Sequence, residues 1–204
     1  MELLEPLEPG YVYHIYNRGI NGTPLFTTPA EYRFFLKQYA WYLEPAVDTY
    51  AYCLLGNHFH LMIRVKEPHE IDLQALKKER NWDQLSNPSR LFAHLFNSYA
   101  QKFNHRANRT GSLFEKPFQR EQVTSDAYFT QLVFYVHFNP QHHGFAADFT
   151  QYPYSSYQSH LSEKPTKLAR KAVLDWFGGP AEYARVHQEL AKGRNDYFGF
   201  FDRM

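Results

Sequence analysis

Two histidines one residue apart, His58 and His60, sit in the apolar run "YCLLGNHFHLMIRV". Farther along, Tyr135 and Asn139 stand four apart in "YVHFNP". In a β-strand, residues i and i+2 point to one face, so the two imidazoles would stand side by side with Phe59 opposite. Residues four apart on a helix share a face one turn apart, which pairs the tyrosine with the asparagine. If that helix packs over the histidine face, two imidazoles and an amide oxygen could hold a divalent metal beside a phenol. Such a metal polarises a phosphate oxygen and favours phenolate, which makes the tyrosine a nucleophile for a phosphodiester. The product would be a protein–DNA ester that keeps the bond energy for rejoining. The His-x-His alone proves little. With 11 histidines in 204 residues, chance supplies one about half the time. Nothing in the sequence by itself docks that helix over that strand.

The elements that would carry these groups can be read from pattern. The opening "MELLEPLEPG" reads as a loose arm, residues 1–10. "YVYHIYNRGI" reads as a strand, rich in aromatic and β-branched residues and ending at Gly19. "TTPAEYRFFLKQYAWYL" opens with a threonine cap and Pro29 and carries a helical face, closed by Pro45. "VDTYAYCLLG" and "HFHLMIRV" form a hairpin around Gly56-Asn57. A polar insert over residues 66–88 has no clear pattern. Apolar residues from Pro88 to about Arg106 recur at three and four, a helix. "SLFEKPFQREQV" is a broken strand or hairpin. "SDAYFTQLVFYVHFNP" is a helix with a Ser or Asp cap and a proline stop. "YPYSSYQSHL" is loop-like, and Thr166 onward holds one or two short helices split at Gly178-Gly179-Pro180. The order is that of a split βαβ, giving an α+β, ferredoxin-like antiparallel sheet with helices on one face. A tyrosine-bearing helix and a small C-terminal helical extension are added to it.

Composition narrows the classes. Hydrophobic residues make up 44% of the chain and aromatic residues 18%, so a core is within reach. The aromatics suit a packed interior first and base stacking second. Net charge is +1, so any nucleic-acid footprint must be local. One such footprint lies at 99–120, where Lys102, Arg106, Arg109, Lys116 and Arg120 face one acidic residue, Glu115. Arg18 and Arg64 flank the other motif strands. These seven are candidate phosphate contacts, against the plainer reading of solvated surface charge. The lone Cys53 excludes an internal disulfide. With no signal peptide and no run long enough to span a membrane, the expected setting is cytoplasmic, associated with the nucleoid.

The ordered blocks resemble those of the single-tyrosine HUH transposases, and within them the bacterial REP-associated tyrosine transposases. The similarity runs from about Tyr11 to Leu161, which delimits an expected HUH domain of 11–161 and an extension of 162–204. It is carried by "YHIYNRG", "AYCLLGNHFHLMI", "SRLFAHLFNSYAQKFNHR", "GSLFEKPFQ", "YVHFNP" and "YPYSSYQSHL" in order. The tail "AVLDWFGGPAEYARV" also looks like the C-terminal extension of some members. The resemblance implies that His58 and His60 bind Mg²⁺ or Mn²⁺, that Tyr135 is the nucleophile, and that Asn139 fills the third ligand position. It implies cleavage of single-stranded DNA next to a hairpin, through a 5′-phosphotyrosine, with no nucleotide cofactor and no membrane partner. The family includes homodimers and single-subunit members. Tyr128 rivals Tyr135 as nucleophile, and Gln131 and His137 rival Asn139 as ligand. The chain departs from the family pattern at Gly56, at Glu115 and Lys116, and at "QHHG" after Pro140, where His142 and His143 could add ligands. Two other functions fit less of the sequence. An HUH replication initiator or relaxase would order its motifs differently or carry paired tyrosines. A passive single-strand nucleic-acid binder would leave the two motifs unexplained.

Overall fold

The computed structural model describes residues 6–71, 74 and 87–193. The polar insert lies largely outside them. Four strands, β1 (Val12–Arg18), β2 (Val47–Leu54), β3 (His58–Val65) and β4 (Gln119–Gln122), form one sheet in the order β2-β3-β1-β4. All neighbours are antiparallel. With helices α1 (Pro29–Leu43) and α2 (Pro88–Arg106) between the strands, this is the ferredoxin-like α+β arrangement.

Helix α1 starts where its sequence says it should. Thr28 and Glu31 form a capping box, and Glu31 accepts from the amides of Thr27 and Thr28 at 2.6 and 2.7 Å. Pro29 and Pro88 each open a helix, where their missing N–H costs nothing. The helices α1 and α2 cover one sheet face. Phe35, Phe92 and Leu95 bury against Ile15, Phe59, Leu61 and Ile63, all fully buried. Phe114 and Phe118 also belong to this core and are not available to stack on bases.

The other sheet face carries α3 (Asp126–His142), capped by Ser125, whose side chain accepts from the Tyr128 amide. Residues 132–140 of α3 are all buried, because the helix is covered on both sides. Beneath it lie Ala51, Cys53 and Met62. Above it lie α4 (Tyr157–Leu161), α5 (Arg170–Phe177) and α6 (Pro180–Lys192), contributing Tyr157, Val173 and Tyr183. A bulge at Tyr50 shifts which residues of β2 face each side. The pairing steps from Thr49↔Ile63 to Ala51↔Met62, so Thr49 faces α1, where its hydroxyl meets Tyr39 at 2.7 Å, and Ala51 faces α3.

Two local expectations change. Pro140 does not stop α3, which runs two residues further to His142. Pro140 forgoes its bond to the Val136 carbonyl and crowds it, but only the last turn lies beyond it, and the amides of His143, Phe145 and Ala146 still bond back to Asn139 and Pro140. The "YPYSSYQSHL" stretch is not all loop, since Tyr157–Leu161 is helical. The split at Gly178-Gly179 holds: both glycines have positive φ, 83° and 113°, which ends α5 and lets Pro180 open α6. Among the described residues no helix is long and apolar enough to cross a membrane.

Candidate functional site

The antiparallel register of β1 and β3 assembles the site. Tyr16 pairs with His60 and Arg18 with His58, so alternate residues of both strands share the face under α3. His14, Tyr16, Arg18, His58 and His60 thus form a polar patch at one end of this face. Helix α3 crosses above it. Tyr135 sets its ring edge-on to His60 at 5.4 Å and to His14 at 6.1 Å between centroids. Asn139, fully buried one turn on, brings its Oδ1 to 3.4 Å from His58 Nε2. Tyr16, Arg18, Asn57, His58, His60, Tyr135, His142 and His143 line an open cleft of about 480 Å³.

The protonation chemistry of the two motif histidines follows from their neighbours. His58 Nδ1 lies 2.7 Å from the Asn57 amide oxygen, which can only accept. Nδ1 therefore carries the proton, and Nε2 turns its lone pair toward Asn139. Burial pushes the His58 imidazole down to about 4, helped by the charges of His143 and Arg18 and opposed by the Asn139 contact. Burial also holds His60 well below its usual range, followed by His14 and His58. Both rings are neutral at pH 7, as metal ligation requires. His60 Nδ1 sits 2.9 Å from His14 Nε2. If His60 donates there, its Nε2 is left with a lone pair for the cleft.

The residues fit a small divalent ion in part. Two donors 3.4 Å apart can each reach one ion at about 2.1 Å, the distance usual for nitrogen or oxygen on such a metal. The Asn139 Nδ2 is a buried donor with no partner, and the oxygen–nitrogen contact to His58 pairs two acceptors. A cation between them, or an inverted amide, removes that conflict. Yet no group of three His, Cys, Asp or Glu side chains among the described residues is disposed to hold an ion. His143 stacks edge-on against His58 at 5.1 Å between centroids but does not complete such a group.

The rivals to Tyr135 and Asn139 lie elsewhere. Tyr128 donates to Glu121 at 3.3 Å, and Tyr16 donates to the other oxygen of the same carboxylate at 3.3 Å. Burial and that carboxylate raise both phenols. His137 is two residues from both Tyr135 and Asn139, on the opposite side of α3. It faces α6, with His137 Nδ1 3.0 Å from His187 Nε2 and His137 Nε2 2.7 Å from Ser156 Oγ. Gln131 is half-buried one turn before Tyr135 and does not line the cleft.

The candidate phosphate contacts separate into groups. Arg18 borders the cleft, 3.7 Å from Glu115, itself one of the family departures. Lys116 is exposed on a neighbouring groove between α2 and residues 111–118, which shares Asn17 with the cleft. Arg109 donates to the Ser112 carbonyl beside that groove. Lys102 lies over Phe34, and Arg106 pairs with the capping carboxylate of Glu31. Arg120 stacks on Phe118 and donates to Ser89 at 2.7 Å. Arg64 stands at the far end of β3 from His58, held by Asp48 and Glu70 at 2.6 and 2.9 Å. The site therefore brings Arg18 to the motif residues and leaves Arg64 away from them. Pattern reading passed over His14, Tyr16, Asn57 and Glu121. Strand alternation was the available signal for His14 and Tyr16, since both fall on the same parity as Arg18.

No family model matches the chain. It is 24% identical over 133 residues to a putative REP-associated tyrosine transposase of Haemophilus influenzae (strain ATCC 51907 / DSM 11121 / KW20 / Rd), covering 65% of this chain and 68% of that protein. Its fold matches a REP-associated tyrosine transposase solved bound to a REP hairpin, with a TM-score of 0.58 and 14% identity. That match covers 83% of this chain and 91% of the other. Sequence and fold thus set the chain beside the tyrosine transposases. Within that class, both comparisons lead to the REP-associated tyrosine transposases.

Proposed function

We propose that this protein is a single-strand DNA transposase that cleaves and rejoins strands near a hairpin through a 5′-phosphotyrosine. The observation that carries the reading is the convergence on one cleft of Tyr135, His58 and His60 from two distant parts of the chain, with Asn139 buried behind it against His58. In the forward step the Tyr135 oxygen attacks phosphorus and loses its proton. The Tyr–O–P bond forms, the P–O3′ bond breaks, and the 3′-oxygen leaves and gains a proton. Rejoining is the reverse with a different 3′-hydroxyl. A divalent cation, Mg²⁺ or Mn²⁺, held by His58, His60 and Asn139 would supply Lewis-acid polarisation of the phosphate.

The chain's own residues prepare this step. Asn57 fixes the His58 tautomer, and His14 offers His60 Nδ1 a partner that leaves its Nε2 free to ligate when His60 is the donor. An all-neutral ligand set leaves the charge of the cation uncompensated, which favours a phosphate anion as the next partner. Arg18 adds positive charge at the same edge. Tyr128 is the poorer candidate, because it does not line the cleft and its hydroxyl is engaged with Glu121. Likeness to a transposase solved with a REP hairpin supports a hairpin as the DNA partner. The matching fold and both motifs favour this over a passive binder or a relaxase.

The test uses a labelled single strand with a hairpin from the DNA flanking the gene, with Mn²⁺ or chelator. Wild type should form a metal-dependent adduct that survives denaturation. Tyr135→Phe and the His58→Ala/His60→Ala double variant should form none. Tight binding without cleavage on every flanking hairpin would overturn the enzymatic reading.

A further inference from the structure

We propose that Phe145 is a stacking platform for an unpaired base beside the phosphate that enters the cleft. The inference rests on the single-strand reading above and extends it to a residue that pattern and resemblance do not single out. Four large apolar side chains are exposed among the described residues: Tyr11, Trp41, Phe145 and Trp176. Trp41 lies on α1 away from the cleft, and Tyr11 precedes the end of β1 opposite Arg18. Trp176 packs on Phe129 at 4.4 Å and donates to Thr130. Phe145 alone stands at the candidate site, 45% exposed, with its ring centroid 6.4 Å from that of His58.

The ring is held on fixed ground. Past the end of α3, the amides of Phe145 and Ala146 both donate to the Pro140 carbonyl, at 2.7 and 3.1 Å. Gly144 turns the chain there with φ of 72°. Below the ring is Gly56, in the turn that leads into His58. A Cβ at Gly56 would fall 3.1 Å from Phe145 Cε1, so glycine is what lets the ring approach this closely. The Gly56 carbonyl is itself anchored by the amides of Leu25 and Phe26 at 2.7 and 2.9 Å. One side of the phenyl therefore rests on the motif turn, and much of the rest is open to solvent.

A rigid, half-exposed aromatic beside a phosphate site suits single-stranded nucleic acid. Bases next to a bound phosphate lie within one nucleotide of it, and every base offers a π-face whatever its identity. A double helix would keep its bases stacked inside and leave the ring without a partner. Phe145 would thus help hold the strand at the reacting phosphate without reading sequence, and would favour unpaired DNA over duplex there.

The experiment measures binding and cleavage of the flanking hairpin strand and of two copies, each with an abasic site on one side of the scissile phosphate. Phe145→Ala should weaken binding of the intact strand about tenfold. Phe145→Trp should restore it. Phe145→Leu, which keeps the contact with Gly56 but has no flat face, should behave like Phe145→Ala. On one of the two abasic strands the gap between wild type and Phe145→Ala should close. Equal binding by Phe145→Ala and wild type on the intact strand would overturn the inference and leave the transposase reading standing. A deficit that persists on both abasic strands, or full rescue by leucine, would overturn it too, since the ring would then only brace the turn. Failure of wild type to bind any strand would overturn the single-strand reading and this inference with it.

Discussion

Mild acid should destabilise this protein before most carboxylates begin to titrate. Four histidines, His14, His137, His160 and His187, are at most 1% exposed. Burial is the leading cause that pushes His14 and His187 down to about 3 and His160 to about 4, and it holds His137 well below its usual range. In the unfolded chain each returns to about 6.5. The folded values lie below the unfolded ones, so the unfolded state binds more protons. The stabilisation is complete above about pH 6.5 and is lost as pH falls toward the folded values. At pH 5.5 each site still far from its folded value costs RT ln(1 + 10), about 1.4 kcal/mol. That figure depends on the unfolded value alone. Together the four remove about 5 to 6 kcal/mol, a large part of the stability of a typical domain. The melting temperature should fall by about 10 to 20 °C between pH 7.5 and 5.5. Urea titrations across that range, with chelator present, give the slope, to which these four rings should contribute between three and four protons taken up on unfolding near pH 5.5, with His58 and His60 adding to the total. His160→Gln keeps an N–H for the Tyr50 carbonyl and should lower the uptake by nearly one. Stability that stays flat from pH 7.5 to 5.5, or an uptake below one proton, would refute the claim that these rings are buried and neutral.

Other consequences are as direct. Glu31→Ala removes the α1 capping box and the buried partner of Arg106, and should cost about 1–3 kcal/mol in urea unfolding with an unchanged m-value. His14→Phe takes away the partner of His60 Nδ1 and should weaken Mn²⁺ binding about tenfold by calorimetry, with the fold intact by circular dichroism. His187→Ala removes the nearer acceptor of the His137 Nδ1–H, leaving it the Tyr183 hydroxyl at 3.2 Å, and opens a cavity under α6. It should cost about 2–4 kcal/mol and lower strand cleavage more than strand binding.

Local rules carried far in this sequence where one residue settles one geometry. Thr28, Pro29 and Glu31 declare the start of α1, and Gly178-Gly179-Pro180 declares the corner between α5 and α6. The two-residue period of β3 puts His58 and His60 together without reference to anything distant. The rest depended on contacts between remote segments. That α3 crosses the histidine face follows from burial of Met62 and Ala51 in one cluster with Leu132 and Val136, which no local pattern states. The Tyr50 bulge, which decides the face of every later residue in β2, has no signature in "VDTYAYCL". His14 was legible by parity only once β1 was known to pair with β3. The fate of the basic residues was the least legible. Arg64 and Arg106 find carboxylates, and Arg120 finds Phe118 and Ser89, because a guanidinium near a half-buried acid or ring satisfies itself locally. Charge counting cannot separate such residues from Arg18 or Lys116, which border open cavities.

What keeps Tyr135 and Asn139 aimed at the sheet is a chain of hydrogen bonds on the far side of α3. The His187 Nδ1–H donates to the Tyr183 carbonyl at 2.8 Å, which leaves its Nε2 as an acceptor. His137 Nδ1–H must then donate to it, at 3.0 Å, which leaves His137 Nε2 to accept from Ser156 Oγ at 2.7 Å. That hydroxyl accepts in turn from the Tyr52 amide of β2 at 2.9 Å. With both imidazoles kept neutral by burial, these bonds run in one direction. It runs from the sheet, through the tyrosine helix, to the C-terminal helices. Turning α3 about its axis by one residue, some 100°, would break the two bonds of His137 and carry Tyr135 off the histidines. Apolar packing alone would resist that rotation weakly, because α3 is apolar nearly all round and offers no single preferred face. The buried polar chain supplies the register that the apolar surface lacks, so the C-terminal helices help set the geometry of a site they do not touch.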